Sequence, residues 1–290
     1  MANPWLERRV LCFAHQGGAR EAPSSTLFAM RRALDVGATA IELDVHQSID
    51  GVLVVCHDAT LDRTSSLTGE IAERTAADLA GADNAYWFVA GEGSFRDRPT
   101  EAYPYRGRAP GDPSFGVATL AAVLDAFPGV PLNLDIKRSA PQVAPYEAAL
   151  AAMLQGAGRS DDVIVTSFND ASTSVFHEIA PEIGTSPGIS TLTQVVQAIR
   201  SGKTPPRASL EGAVALQVPV RVGGTWLVDD RLVAETHDLG LALHVWTVDD
   251  PHEMEQLVDL GVDGIMTDVP SNLVALLTRR GVGLAAKRES

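Results

Sequence analysis

The sequence has little of the features that define several specialised classes of protein. Two cysteines in 290 residues, Cys12 and Cys56, are too few for a disulfide scaffold. With 23 Lys and Arg against 37 Asp and Glu, the net charge is −14, so the chain lacks the basic surface that nucleic acid or anionic lipid requires. No apolar run approaches the roughly 18 residues of a membrane span, and none near the N-terminus resembles a signal peptide. We therefore expect a cytoplasmic protein with no nucleic-acid partner and no stable membrane insertion.

The sequence is instead rich in apolar runs that alternate with amphipathic stretches. Eight of the runs are typical of strands, and helical patterns separate most of them. The runs are Val10–His15, Ala40–Val45, Pro131–Ile136, Asp162–Phe168, Ile183–Ser186, Ala213–Val218, Leu241–Val248 and Gly264–Thr267. Alternation of this kind predicts βαβ units and a parallel sheet. Eight units in about 250 residues predict a single α/β domain over residues 1–290, a closed (β/α)8 TIM barrel.

Residues 51–116 interrupt this alternation. Residues 51–57 are typical of an extra strand, because a hairpin signal, Asp50-Gly51, opens the segment. Residues 58–116 lack clear periodicity, yet six Tyr, Trp and Phe residues lie between Tyr86 and Tyr105. We interpret residues 58–116 as a small insertion after the second strand of the barrel, at its mouth. A solvated loop is the alternative, but so many aromatic residues favour a cap over the site.

Acidic residues recur where the predicted strands end, the position from which barrel enzymes draw their active groups. Glu42 and Asp44 are two apart on one strand, so both side chains point to the same face. Asp135 comes from the next barrel strand, with Lys137 on the same face. Buried carboxylates repel one another, so three of them predict a site for one hard divalent cation, Mg²⁺ or Ca²⁺. A structural salt bridge from Lys137 is the alternative.

Two histidines end strand-like runs near these carboxylates. His15 ends the first run, and His57 ends the extra strand. Two histidines near a metal suit acid–base chemistry, in which one removes a proton and the other protonates a leaving group. His46 lacks this context, and we expect it at the surface or in a loop. His244, two residues before Trp246, is expected in the core or just behind the site.

These motifs belong to a longer series of segments in a characteristic order. The segments are residues 14–18 (AHQGG), 22–27 (APSSTL), 41–45 (IELDV), 50–58 (DGVLVVCHD), 61–64 (LDRT), 132–137 (LNLDIK), 245–251 (VWTVDDP) and 261–268 (GVDGIMTD). In this order and spacing the chain resembles the glycerophosphodiester phosphodiesterase family. The resemblance spans nearly the whole chain, with residues 58–116 at the position of the family's variable insertion.

The resemblance implies a barrel enzyme that hydrolyses small-molecule glycerophosphodiesters to glycerol 3-phosphate and an alcohol. It also implies roles by position. These are acid–base catalysis by His15 and His57, metal binding by Glu42, Asp44 and Asp135, phosphate contact by Lys137, and lining of the substrate pocket by Trp246. Gln16 stands where the family usually has an arginine, and we expect it to contact the substrate.

Three positions depart from the family pattern. Gln16 replaces the arginine, Ser24-Ser25 replace a glutamate–asparagine pair, and Asp135 replaces a glutamate as the third metal ligand. The first two departures remove one positive and one negative charge from one loop, which predicts that the two positions are neighbours. A solvent-facing Gln16 is the alternative. The departures bear on affinity and substrate choice more than on the fold.

Two other functions are compatible with the sequence. A lysophospholipase D-type phosphodiesterase would use the aromatic insertion to hold an acyl chain. A catalytically impaired homologue would bind phosphodiesters without cleaving them, although the retained histidines and carboxylates disfavour it. The nucleophile, water or the glycerol 2-hydroxyl, stays open, as do the alcohol moiety and the oligomeric state.

Overall fold

The structure is a computed structural model that describes residues 3–7, 10–138 and 142–282. Its strands are β1 (Leu11–His15), β2 (Ala40–Gln47), β3 (Leu53–Val55), β4 (Phe88–Val89), β5 (Gly93–Ser94), β6 (Leu132–Ile136), β7 (Val163–Thr166), β8 (Gly184–Thr185), β9 (Ala215–Pro219), β10 (Arg221–Val222), β11 (Thr225–Trp226), β12 (Ala242–Trp246) and β13 (Gly264–Thr267). Its α-helices are α1 (Pro4–Glu7), α2 (Leu27–Asp35), α3 (Ala76–Ala80), α4 (Leu120–Ala126), α5 (Glu147–Gly156), α6 (Asp170–Ile179), α7 (Ile189–Arg200), α8 (Asp230–Asp238), α9 (Pro251–Leu260) and α10 (Pro270–Arg280).

Eight parallel strands among the described residues form a nearly closed barrel. Hydrogen-bonded neighbours follow the order β8-β7-β6-β2-β1-β13-β12-β9. The seam between β8 and β9 is closed by a parallel bridge between Thr185 and Ala213. There the amide of Val214 donates to the carbonyl of Thr185 at 2.9 Å. The predicted (β/α)8 TIM barrel is confirmed.

The barrel is packed on both faces of its strands, as buried parallel strands require. The outward faces meet the helices in two large apolar clusters. Inside, Phe13, Ile164 and Met266 belong to a smaller cluster that also contains Trp5 of α1. Trp5 is 2% exposed and lies edge-on to the ring of His244. Helix α1 therefore plugs the N-terminal end of the barrel, and the opposite end is left for a site.

The layer beneath the C-terminal ends of the strands contains neutral polar groups. Gln217 donates to the side-chain oxygen of Asn133 at 2.6 Å, and both residues are buried. His244 is fully buried, and burial lowers its pKa to about 3. Neither of its ring nitrogens has a hydrogen-bond partner among the described residues. His244 is therefore an uncharged core residue, as expected.

The predicted barrel strands differ from the observed ones by at most two residues at each end. The extra strand is shorter than predicted: β3 pairs antiparallel with β2 after a turn in which Gly51 has a φ of 83°. The sequence analysis missed α4, which begins after the capping residue Thr119. It also missed the small hairpin of β10 and β11, which follows β9.

The aromatic residues of the insertion pack mainly on one another. Tyr105 stacks on Phe115 with 5.2 Å between ring centroids and meets Phe28 of α2 at 5.0 Å. Trp87 packs edge-on against Tyr103 at 5.7 Å. No residue between 58 and 116 is among those that line the cleft described below. These rings form a core within the insertion, and a cap over the site stays a prediction, as do the domain boundaries.

The helices of the barrel are short. Within the described ranges, none is long and apolar enough to cross a membrane.

Candidate active site

A cleft of about 770 Å³, open to solvent at its mouth, lies at the C-terminal ends of the barrel strands. Seven of the eight predicted site residues line it. They are His15, Glu42, Asp44, His57, Asp135, Lys137 and Trp246. The strand-end rule for barrels therefore places these residues correctly, and their chemical roles stay predictions.

Strand register brings the acidic residues and His15 together. β1 and β2 pair so that His15 lies beside Glu42, and β2 and β6 pair so that Asp44 lies beside Asp135. Glu42 and Asp44 point the same way because they are two residues apart. Lys137 follows the end of β6, and its ammonium lies 2.8 Å from Asp44 and 3.4 Å from Asp135. The ammonium of Lys137 thus contacts two of the three carboxylates.

The three carboxylates are short of positive charge. Glu42 and Asp135 are each 5% exposed and Asp44 is 1% exposed. Burial and the charge of Asp44 raise the pKa of Glu42 to about 8. Burial also raises the pKa of Asp135 to about 6, against the opposing effect of Lys137. One oxygen of Asp44 (Oδ2) and one of Asp135 (Oδ1) are buried without a hydrogen-bond partner in the described part of the chain.

This donor set suits a hard divalent cation. Mg²⁺ and Ca²⁺ prefer carboxylate oxygens, and a cation beside Asp44 and Asp135 would satisfy their unpartnered atoms. As the side chains stand, no group of three or more His, Cys, Asp or Glu among the described residues is arranged to hold a metal ion. The ammonium of Lys137 instead contacts two of the carboxylates. Metal binding by Glu42, Asp44 and Asp135 therefore stays a prediction.

His15 is held between two acidic residues. Its Nδ1 lies 2.6 Å from Oδ1 of Asp268, and its Nε2 lies 3.8 Å from Oε2 of Glu42. Burial alone would lower the pKa of His15, but Glu42 and the hydrogen-bonded Asp268 outweigh it and raise the pKa to about 9. With Nδ1 occupied by Asp268, Nε2 is the ring atom left to exchange a proton with a substrate.

His57 is held in the same way on the other side of the carboxylates. Its Nδ1 lies 2.6 Å from Oδ1 of Asp58, which also accepts two hydrogen bonds from Arg63 at 2.7 and 3.1 Å. Its Nε2 lies 3.5 Å from Nζ of Lys137. His46, which we expected at the surface, is instead 3% exposed and approaches the carbonyl of His57. This expectation was wrong because β3 covers that part of β2.

Gln16 is not among the residues that line the cleft, and its contact with the substrate stays a prediction. Gln16 is 5% exposed, so the solvent-facing alternative is wrong. Its Nε2 lies 3.2 Å from Nε2 of His15, and its Oε1 accepts a hydrogen bond from Ser24 at 2.6 Å. The prediction that positions 16 and 24 are neighbours is confirmed.

One wall of the cleft is apolar. Phe168, Ile189 and Trp246 all line the cleft. Phe168 is 55% exposed and Ile189 is 47% exposed, although both are large hydrophobic residues. Phe168 meets Trp246 edge-on at 5.8 Å between ring centroids, and Nζ of Lys137 lies 5.9 Å from the Phe168 ring. The ammonium of Lys137 and the apolar wall are therefore adjacent.

Three residues of the site were not predicted from the sequence. Asp268 holds His15, Asp58 holds His57, and Phe168 forms the apolar wall. Asp268 directly follows β13, Phe168 follows β7 by two residues, and Asp58 follows His57. Each comes just after a strand, so the strand-end rule would have found them had it been applied to every strand.

Comparison with known proteins identifies the family. The model of the glycerophosphoryl diester phosphodiesterase family matches residues 15–272. A glycerophosphodiester phosphodiesterase of Bacillus subtilis (strain 168) is 30% identical over 273 residues, which cover 90% of this chain and 84% of the relative. One from Caldanaerobacter subterraneus subsp. tengcongensis is 29% identical, with 94% and 100% covered. The chain belongs to the glycerophosphoryl diester phosphodiesterase family and is a phosphoric diester hydrolase.

Solved structures share its fold. A glycerophosphodiester phosphodiesterase from Agrobacterium tumefaciens matches with a TM-score of 0.69 and 25% identity, covering 92% of this chain and 99% of that one. An Oleispira antarctica phosphodiesterase, solved in complex with the product sn-glycerol-3-phosphate, matches with a TM-score of 0.70 and 20% identity, covering 94% and 99%.

The raised pKa values predict how stability depends on pH when divalent cations are absent. Glu42, with an ordinary pKa of 4.5 and a folded value of about 8, binds its proton more tightly in the folded chain. Its stabilising effect is complete below pH 4.5 and is lost as the pH rises through about 8. We expect the melting temperature in chelator to fall over this interval, and to fall less in Glu42→Gln, which cannot ionise.

The measurement is thermal unfolding at a series of pH values in chelator. Asp135, whose pKa is raised to about 6, contributes a loss of the same sign at lower pH in both proteins. The same pH slope in Glu42→Gln and the parent would show that Glu42 does not have the raised pKa.

Proposed function

We propose that this enzyme hydrolyses a glycerophosphodiester to glycerol 3-phosphate and an alcohol, with His15 and His57 as its acid–base pair. The observation that supports this best is the placement of the two rings. Their centroids are 6.2 Å apart beside the carboxylates, and each Nδ1 lies 2.6 Å from an aspartate. The relative from Oleispira antarctica, in complex with sn-glycerol-3-phosphate, supports the product.

The two aspartates determine which ring atoms do the chemistry. A carboxylate at Nδ1 keeps a hydrogen on that nitrogen and fixes the ring's orientation, so that Nε2 exchanges the proton. In this proposal one histidine takes the proton of the attacking hydroxyl at Nε2, and the other gives a proton to the leaving alcohol at Nε2. Lys137 lies beside His57 and between two carboxylates, where its ammonium can contact a phosphate oxygen.

Glu42, Asp44 and Asp135 would hold one divalent cation, Mg²⁺ or Ca²⁺. When bound, the cation neutralises the negative charge of the phosphate as the reaction proceeds. The support is the three buried carboxylates and their two unpartnered oxygens.

A cytoplasmic location also stays our prediction.

A second candidate substrate is a lysophospholipid. The exposed side chains of Phe168 and Ile189 support it, since they offer an apolar surface next to Lys137. This surface, rather than the aromatic insertion, would contact an acyl chain. A catalytically impaired homologue has less support, because both histidines keep their aspartate partners.

The function is tested with His15→Ala and His57→Ala. Each variant is expected to lower kcat for glycerophosphocholine by roughly 10²–10⁴-fold, the scale for loss of a general acid or base. The double variant is expected to lose less than the product of the two, since paired catalytic groups are not additive. His252→Ala, in an exposed helical turn, is the matched control and is expected to keep full activity. Wild-type kcat in either site variant would reassign that histidine to a structural role.

The cation is tested by chelation followed by readdition. Exhaustive chelation is expected to abolish activity, and Mg²⁺ or Ca²⁺ to restore it. The same cation is expected to raise the melting temperature, because a ligand that binds only the folded state stabilises it. A potassium salt at equal ionic strength is the control. Full activity with no metal detected by elemental analysis would contradict the assignment.

The apolar wall is tested by comparing two substrates. Phe168→Ala and Ile189→Ala are expected to raise KM for a long-chain lysophosphatidylcholine by about tenfold, the scale of one lost apolar contact surface. KM for glycerophosphocholine is expected to change little. Val175→Ala, 42% exposed on α6, is the control. Equal effects on both substrates would count against a role of this wall in holding the alcohol moiety.

A further inference from the structure

A line of buried hydrogen bonds runs from the insertion to Gln16, whose amide lies beside His15. In the insertion, Thr64 donates to Oδ1 of Asn84 at 2.6 Å, and Nδ2 of Asn84 donates to the carbonyl of Ser24 at 3.0 Å. The hydroxyl of Ser24 donates to Oε1 of Gln16 at 2.6 Å, and Nε2 of Gln16 lies 3.2 Å from Nε2 of His15. We call Asn84, Ser24 and Gln16 the polar relay.

The polar relay is almost completely shielded from solvent. Asn84 is 1% exposed, Ser24 is 2% exposed and Gln16 is 5% exposed. Buried polar side chains depend on their protein partners, because no bulk water replaces a lost hydrogen bond. Loss of one contact in the relay therefore displaces the next side chain, because solvent does not replace the lost partner.

The backbone around Gln16 is held in an uncommon conformation. Gln16 and Ser25 have φ values of 53° and 59°, in the left-handed region that residues other than glycine rarely adopt. Two hydrogen bonds maintain this turn: the amide of Ser25 donates to the carbonyl of Gln16 at 2.8 Å, and the amide of Gln16 contacts Oε2 of Glu42 at 3.2 Å. Such conformations persist where the surroundings over-determine them.

Asn84 is in turn anchored within the insertion. Its backbone N–H donates to the carbonyl of Phe115 at 3.0 Å, and Phe115 belongs to the aromatic core of the insertion. The insertion thus extends toward His15 through a buried amide side chain, while Asp58 and Arg63 at its beginning hold His57. It contributes no residue to the lining of the cleft.

We propose that residues 58–116 position His15 through the polar relay, and that Gln16 and Ser24 are positioning residues for its imidazole. Asp268 holds Nδ1 of the ring, and the Gln16 amide, 3.2 Å from Nε2, limits where the ring can swing without being bonded to it in the reacting state. Nε2 is the atom that must meet the substrate, and small displacements of a reacting atom have large effects on rate. This inference rests on the proposed role of His15.

A purely structural role for the relay makes a different prediction. If the hydrogen bonds only hold the loop together, their loss lowers the melting temperature and leaves kcat unchanged in the protein that remains folded. If they position His15, kcat falls at temperatures where the variant is fully folded, while KM changes little because the relay does not line the cleft.

The experiment compares Ser24→Ala, Gln16→Met and the double variant, all assayed well below their melting temperatures. Each single variant is expected to lower kcat by about 10- to 100-fold, with little change in KM. The double variant is expected to lose no more than the worse single variant, because both substitutions break one line of contacts. Unchanged kcat in both single variants, or losses that multiply in the double variant, would overturn the proposal.

Adjacent residues offer a matched pair for the insertion's part in the relay. Asn84→Asp keeps the shape but removes the donor to Ser24, and it is expected to lower kcat. Asp83→Asn makes the reverse exchange at a residue that is 4% exposed and bonds to the amides of Ala85 and Gly107 inside the insertion. It is expected to lower the melting temperature alone. Equal effects of the two variants on kcat would show that the insertion acts only through stability.

His15→Ala, assayed in parallel, separates the two ideas. If His15→Ala keeps wild-type kcat, the proposed function of His15 fails. If His15→Ala is inactive while Ser24→Ala and Asn84→Asp keep full kcat, the relay fails and the role of His15 stands.

Discussion

The arrangement of the site depends on the repulsion among three buried carboxylates. Glu42, Asp44 and Asp135 are placed together by strand register, and this register cannot change without turning the apolar strand faces outward. The carboxylates must therefore be balanced by what surrounds them. Lys137 ion-pairs with two of them, and His15 lies beside the third. The positions of the cationic side chains, and the excess acidity that suits a divalent cation, follow from this one constraint.

The parts of the site that were predictable are those that local geometry determines. The period of two along a strand places Glu42 and Asp44 on one face, and the rule that barrel sites lie at strand ends places His15 and Asp135 near them. The contact between His15 and Asp268 joins residues 253 positions apart, so no local pattern contains it. Its prediction needs the closure of the barrel, which puts β13 beside β1.

The insertion shows that amino-acid composition does not determine where the residues are placed. Its many aromatic residues predict a cap over the site, and among them Tyr105 packs against the buried Phe115 in a core within the insertion. Composition carried no information about the direction in which that core faces. The rings pack beside α2 through Phe28, and the apolar surface of the cleft comes from Phe168 and Ile189 instead. Phe168 lies two residues after β7, and Ile189 is the first residue of α7, so both come from the segments that follow short strands.

The exchange of an arginine and a glutamate for Gln16 and Ser24 also has a physical account. The two members of a buried charged pair satisfy each other, and so do the two members of a buried neutral pair. A single buried charge would be left unpaired at high cost. The hydrogen bond between Ser24 and Gln16 is the neutral form of such a pair. Either substitution alone would leave a polar group or a charge without its partner.

The uncharged layer under the site has an electrostatic consequence. Asn133 and Gln217 bond to each other, and His244 is kept neutral by burial, so nothing in this layer offers a counter-charge to the carboxylates above it. Low-dielectric surroundings do not screen the field of those carboxylates. Their charge is therefore balanced from the cleft itself, where Lys137 and His15 lie beside them. Because the pKa values of Glu42 and Asp135 are raised to about 8 and about 6, the net charge of the cleft changes with pH around neutrality.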